Sequence, residues 1–381
     1  MPARERVFAA LNHREPDRVP TALGGGPYGI VDELYFQLLR CFELGEPVAQ
    51  FREGHSISYL DDRVLQHLGV DTRYVWAGDT PSNLKPVPGQ LDTFVDGYGQ
   101  TWKRALPYYY AERGILAEAT VDEIDRLVTW PDVDDPRWTA GVHDRAQSLR
   151  ENTDAFVVAR MITSHGPFQT ASHLRGTERF LMDLALDEAF AEALIGRITD
   201  TIDGLLRRYL EAGGRHFDMI ELPGDDYASN ENTLISLRMF RKYFKPALRR
   251  LVETVKGYRD DLVVMFHSDG MIAPLLSDLI EIGVDVVHPL EPVPAMDLAA
   301  VKAEFGQRLT FLGAIDIAHA LPGTQQDVIE EVKRRIRQLA PGGGYILAPA
   351  NHVQADVPPE NVVTLFEAAR QFGKYPIRIP E

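Results

Sequence analysis

The sequence holds one cysteine, Cys41, among 381 residues. A single thiol excludes an internal disulfide and any CxxC redox or zinc motif. Dense basic runs are also missing: 40 Lys and Arg stand against 56 Asp and Glu, for a net charge of −16. A chain of this balance does not follow phosphate backbones or anionic lipid, so neither nucleic acid nor membrane is expected as a partner. A local arginine pocket for a small anion remains compatible with an acidic surface. No apolar run approaches the length of a membrane span. The opening MPARERVF is charged and lacks the apolar core of a signal peptide, so the expected location is cytoplasmic. With 45% hydrophobic residues the chain can bury a large core. Cys41 falls in a helical stretch, Asp32–Leu44, and is expected as a buried small apolar residue.

What is present is a rhythm of short apolar runs and helical stretches. Phe156–Met161, Phe217–Leu222, Leu262–Phe266, Val284–Val287, Leu309–Leu312 and Tyr345–Leu347 read as buried strands, and Val19–Leu23 and Arg73–Trp76 as two weaker ones. Helical stretches at 178–212, 237–256, 271–282, 297–305, 325–340 and 359–373 follow or separate them. Strands alternating with helices imply parallel right-handed crossovers. Eight such units point to a single α/β domain over 1–381, a (β/α)8 TIM-type barrel. Ala3–His13 reads as an N-terminal helical extension. Residues 78–140 break the rhythm; a hairpin turn at Asp96-Gly97-Tyr98-Gly99 and an aromatic segment, Tyr108-Tyr109-Tyr110, suggest an excursion serving as a lid or dimer surface.

The strand at 262–266 delivers His267, Ser268, Asp269 and Gly270 to a turn, and the other strand ends repeat the pattern. They bring His165, Asp225 and Asp226, His288 and Glu291, Asp316, and His352. In a barrel these loops converge on one face. His267, Asp269, Asp226 and His352 are therefore candidate catalytic residues. Gly25, in a triple glycine where the backbone can approach a ligand, joins His165, Asp225 and Tyr227 as a candidate substrate contact. By side-chain type His267, Glu291 and His352 make a candidate metal set, with Asp269 as a fourth member or an orienting partner. Gly342-Gly343-Gly344 lies between a helix and a strand, on the opposite face, and reads as a helix cap and turn.

Several segments resemble the uroporphyrinogen decarboxylase superfamily: RERVFAALNHREPDRVP, VLQHLGVDTRYV, GPFQTASHLRG, FHSDG, AEFGQRLTFLGAID and APGGGYILAPANHVQADVPPENV. They run in order over nearly the whole chain. The resemblance implies one (β/α)8 barrel with its site in the mouth, commonly in a homodimer. Decarboxylases of this superfamily carry arginines after the first strand to gather substrate carboxylates. The matching segment here, Val19–Tyr28, has none, so tetrapyrrole decarboxylation is not expected. The decarboxylase tyrosine falls near His173, which becomes a candidate substrate contact, and the histidine of the last loop matches His352.

The other branch, the cobalamin-dependent methyltransferases, holds zinc through a His-x-Cys pair and a later cysteine. His267 matches the histidine, Asp269 occupies the first cysteine position, and Asn351–His352 falls near the second. The resemblance thus implies zinc or another divalent metal in a harder ligand set. It also implies a small methylated substrate (an ether, as for an O-demethylase, an amine or a thiol) and a corrinoid (cobalamin) carried by a partner protein. Two alternatives stand beside it: a decarboxylase or lyase of a small carboxylic acid, and a ligand-binding barrel without catalysis.

Overall fold

The computed structural model describes residues 1–48, 56–105 and 108–379. The apolar runs form strands because they are buried on both faces, as parallel strands covered by helices must be. In chain order the strands are β1 (Thr72–Val75), β2 (Lys85–Pro86), β3 (Thr93–Val95), β4 (Thr101–Ala105), β5 (Tyr108–Ala111) and β6 (Phe156–Ala159). They continue with β7 (Met219–Glu221), β8 (Val263–His267), β9 (Val286–His288), β10 (Thr310–Ile315) and β11 (Tyr345–Pro349). Seven of them make one parallel sheet in the order β1-β6-β7-β8-β9-β10-β11. The eighth place belongs to the segment around Thr21. Leu347 donates its N–H to the Pro20 carbonyl (2.9 Å), Ala22 donates to the Leu347 carbonyl (2.9 Å), and Asp71 donates to the Thr21 carbonyl (3.0 Å). The predicted strand Val19–Leu23 is thus reduced to a single bridge, Thr21 with Leu347. Pro20 has no N–H to add to the ladder, and the triple glycine follows at once. The sheet nevertheless closes, and the architecture is the TIM-type barrel that the rhythm implied.

Closure depends on Asp71, which is 2% exposed. Its carboxylate takes two N–H groups of Arg18 (2.9 Å each), one of Arg6 (2.6 Å) and the backbone N–H of Thr21 (2.8 Å). Arg6 lies on the first helix, Ala3–Leu11, and also pairs with Asp17. The N-terminal extension is therefore fastened to the seam of the barrel by charge-assisted bonds in a dry setting.

The excursion is a four-stranded antiparallel sheet, β2-β3-β4-β5. Its predicted turn is built on Asp96, which accepts N–H bonds from Tyr98 and Gln100 and the indole N–H of Trp102 (2.9 Å each). Leu84, Phe94 and Trp102 give it a small core of its own. Two helices depart from expectation. Val142–Asn152 is helical, in a stretch to which the sequence reading assigned no element. The stretch 237–256 passes through a π-helical turn at Phe240–Phe244 before the regular helix Lys245–Tyr258; Pro246 cannot donate into the preceding turn. Cys41 ends the helix Asp32–Cys41 on its solvent face and is exposed, not buried. Among the described residues no helix is long and apolar enough to cross a membrane.

Removing the buried Asp71 carboxylate leaves two arginines and a backbone N–H without their acceptor. Asp71→Ala is expected to cost about 3–5 kcal/mol, read as a lowered urea midpoint. An unchanged midpoint would mean that the barrel closes without this contact.

Candidate active site at the barrel mouth

The carboxyl ends of the strands and the excursion sheet enclose a cavity of about 490 Å³. From the barrel come Arg160, His165, Asp226, His267, Asp269, Asn351 and His352; from the sheet and its approach come Leu84, Tyr98, Trp102, Tyr108 and Tyr109. The excursion therefore sits as a cover over the mouth, and Gln354 ties it down by donating to the Tyr108 hydroxyl (2.7 Å).

At the end of β8, His267 Nε2 lies 3.6 Å from Asp226 Oδ1 and 3.8 Å from Asp269 Oδ1. These three residues form a group whose donor atoms lie within 4.8 Å of one another. Their placement is fixed from behind. The Asp269 N–H donates to Asp226 Oδ1 (2.9 Å), Gln169 Nε2 donates to Asp226 Oδ2 (2.7 Å), and Asn351 Nδ2 donates to Asp269 Oδ2 (2.6 Å). The tautomer of His267 follows from its neighbours. His288 Nε2 meets the Pro349 carbonyl at 3.3 Å, an acceptor only, so that nitrogen carries the hydrogen. In neutral His288 the Nδ1 atom is then an acceptor, and it lies 2.9 Å from His267 Nδ1. His267 must donate there, which leaves the lone pair of its Nε2 directed at the two carboxyl groups.

Burial governs the charge states. It holds His267 and, more strongly, His288 below the usual imidazole range. Burial also pushes the Asp269 carboxyl well up, and the nearby charges of Asp226 and Glu291 add to the effect. Asp269 Oδ1 is buried and has no hydrogen-bond partner among the described residues. Such an oxygen beside a histidine lone pair is the place for a proton or a cation. One nitrogen and carboxylate oxygens suit a divalent ion of borderline or hard character.

The structure separates the predicted residues sharply. His267, Asp269, Asp226, His352, His165 and His173 all line the cavity. Asp225 does not: it is fully buried and accepts from the N–H groups of Phe168 and Gln169 (2.9 Å each) and from the Tyr227 hydroxyl (2.9 Å). It caps the helix Pro167–Arg175, which explains a carboxylate facing away from the mouth. Tyr227 is packed between Phe168, Phe240 and Phe244, out of reach of a substrate. Gly25 is likewise not on the wall. A Cβ there would stand 2.2 Å from the Tyr28 ring and 2.3 Å from Glu221 Oε1. The glycine loop cradles the chain's own Glu221, which accepts from the Gly26 N–H and the Tyr28 hydroxyl at 2.7 Å each.

The predicted metal set is also revised. Of His267, Glu291 and His352, only His267 belongs to the compact group. Glu291 accepts the Gly270 N–H (2.7 Å), bracing the turn that follows Asp269. His352 Nδ1 accepts the Gly29 N–H (3.0 Å) on another part of the wall. The carboxylate partner that sequence reasoning placed at Glu291 is Asp226. Residues missed altogether are Arg160, Trp102 and Gln169; their only signals were a charge directly after an apolar run and an aromatic in a hairpin.

Opposite the group, His165 and His173 pack against each other (ring centroids 4.6 Å apart) and both face Trp102. Burial lowers His165 to about 4 and His173 well below its usual value. Depressed histidines contribute stability that is present above pH 6.5 and lost as pH falls through the folded value. Between pH 6.5 and about 4 the protein should therefore lose up to about 1.4 kcal/mol per pH unit for each such histidine. Urea midpoints across this window would show it, and the slope should flatten in His165→Gln. An equal slope in that variant would assign the loss elsewhere.

The barrel is shared with a methyltransferase from Methanosarcina mazei, at 21% identity over 98% of this chain and 99% of that one, with a TM-score of 0.64. A putative vitamin-B12 independent methionine synthase from Listeria monocytogenes is similar at 11% identity over 93% and 98% of the two chains, with a TM-score of 0.46 that is too low to argue from. No curated protein matches the sequence. The model of the uroporphyrinogen decarboxylase (URO-D) family matches residues 115–372. That span includes every barrel strand from β6 onward and the whole Asp226–His267–Asp269 group, and the chain belongs to the uroporphyrinogen decarboxylase family.

Proposed function

We propose that this family member is a methyltransferase-type enzyme. It would move a methyl group between a small methylated ether, amine or thiol and a corrinoid carried by a separate protein. The observation that carries this reading is the Asp226–His267–Asp269 group, with an imidazole lone pair and a carboxyl oxygen unpartnered among the described residues on one cavity wall. The Methanosarcina mazei structure is named a methyltransferase, and its likeness is one of fold; the chemistry is argued from the cavity.

A heteroatom that loses a methyl group gains electron density and needs a proton or a Lewis acid. Asp226, His267 and Asp269 would hold a divalent ion, zinc or a harder metal, that supplies Lewis acidity there. The chain's own contribution is positional and protonic. Asn351 holds Asp269 Oδ2; where no ion is held, Asp269 Oδ1 would give its proton to a departing oxygen or nitrogen and take it back in the reverse direction, with His267 Nε2 beside it at 3.8 Å. Trp102 and Tyr108 of the covering sheet line the same cavity, and water displaced by a bound substrate there would strengthen each of these interactions.

A second reading rests on the same raised Asp269 carboxyl. A neutral acid beside a neutral imidazole could protonate the carbon left by CO2 loss, making the protein a decarboxylase or lyase of a small acid. Tetrapyrrole decarboxylation is not expected, because Val19–Tyr28 has no arginine to pair with the carboxylates of such a substrate.

Metal content of protein purified without a histidine tag separates the two. About one divalent ion per chain, lost in His267→Ala, is expected, followed by methyl transfer to an added corrinoid protein. Absence of metal from the wild-type protein, with CO2 released from a small acid, would move the assignment to the second reading. Because Asp269 must shed its proton to ligate, metal affinity should rise with pH, which titration calorimetry between pH 6 and 8 would show. His288→Phe removes the acceptor that fixes the His267 tautomer, so it should weaken the metal about 10- to 100-fold; unchanged affinity would exclude the relay.

A further inference from the structure

Arg160 directly follows β6 and lines the cavity, yet it is only 5% exposed. Its guanidinium carbon sits 4.8 Å over the Tyr59 ring. Tyr59 stacks on Trp76 (4.4 Å, 10°), and Arg145 covers the far side of Trp76 at 4.1 Å. The two arginines of this stack differ in one respect. Arg145 pairs with the Asp62 carboxylate (3.0 Å) and donates to the Tyr74 carbonyl (2.7 Å). Arg160 makes no side-chain hydrogen bond or ion pair among the described residues. Glu221, the buried carboxyl that feels its charge, is committed to Gly26 and Tyr28. Stacking occupies the face of a guanidinium and leaves its in-plane donors open, the geometry that receives a carboxylate edge-on. A buried cation whose donors have no partner is costly unless something completes it.

We propose that the cavity takes a substrate bearing a single carboxylate, which Arg160 holds while the uncharged body lies against Trp102, Tyr108 and the His165–His173 pair. Arg160 is the only Lys or Arg among the described residues lining the cavity, and Asp96, Asp226 and Asp269 line it too. One cation beside three carboxyl groups accommodates a monoanion and disfavours a dianion such as a phosphate monoester. The aromatic wall favours a ring as the body. The inference rests on the proposed function for what happens at the other wall, but the anion site stands or falls separately.

The test is titration calorimetry of 3-methoxybenzoate, 3-methoxybenzamide and phenyl phosphate against the wild-type chain, Arg160→Gln and Arg160→Lys. The wild-type protein should bind the benzoate about tenfold or more tighter than the neutral amide and tighter than the phosphate. Arg160→Gln should bring the benzoate down to the amide's level with amide affinity unchanged, which also reports that the variant is folded. Arg160→Lys should retain part of the preference. Equal binding of benzoate and amide by the wild-type protein, preference surviving in Arg160→Gln, tighter binding of the phosphate, or no binding of the benzoate would each overturn the proposal. Carboxylate preference without methyl transfer to a corrinoid protein would keep the Arg160 site and remove the methyltransferase reading. Methyl transfer from the amide as fast as from the benzoate would do the reverse.

Discussion

A parallel barrel has no free edge only if its first and last strands meet, and here the meeting is made by a segment too short to be a strand. Thr21 is held between Leu347 on one side and Asp71 on the other. The Asp71 carboxylate gathers Arg6, Arg18 and the Thr21 N–H behind that contact. Its backbone also accepts the Phe156 N–H (3.0 Å), setting β6 against β1, and Arg160 donates its N–H to the Val75 carbonyl at the other end of the same pair. The level at which each strand delivers its last residue to the mouth is thus fixed from this seam. A cluster of donor atoms within 4.8 Å, drawn from loops 43 residues apart for Asp226 and Asp269, requires that kind of common level.

The mouth itself is organised by desolvation. Four histidines, His165, His173, His267 and His288, are all held toward the neutral form by burial, while Asp269 and Glu291 are held toward the protonated form. Removing charge in this way is what lets one lone pair and one carboxyl oxygen stand out on a wall shared with polar and aromatic side chains. The chain from the Pro349 carbonyl through His288 to His267 settles where that lone pair points. Neither His288 nor Pro349 lines the cavity, yet together they decide what the cavity presents.

Much of this was legible in the residues. Buried apolar runs ending in His, Asp and Gly gave the strands, and their alternation with helices gave the barrel; periodicity reports burial directly. What periodicity cannot report is the direction of a side chain in a loop. Asp225 and Asp226 are chemically equal neighbours, but one caps a helix and the other faces His267. Gly25 and Gly26 differ in the same way, one wedged against Tyr28 and Glu221, the other on the wall. Glu291 has the right chemistry for a ligand and spends it on the Gly270 N–H. Cys41 lies at the end of its helix, where the helical pattern ceases to tell the inner face from the outer. Arg160 reads in sequence as an ordinary charge closing a strand. Only the fold shows that Tyr59 covers its face and that, among the described residues, no carboxylate reaches its edge.

The contrast between the arginines absent from Val19–Tyr28 and the one present at Arg160 bears on the charge that this cavity can receive. A polycarboxylate in the mouth would meet Asp96, Asp226 and Asp269 with a single cation to offset them among the described residues, and each further negative charge in a space of low dielectric is strongly unfavourable. Where the arginines would stand, the chain has Gly24-Gly25-Gly26, whose backbone binds an internal carboxyl and so neutralises nothing from outside. In the proposed site the balance of charge would favour substrates with no more than one anionic group, and the aromatic cover a body that is flat or apolar. Both preferences would act on binding, before any bond is broken.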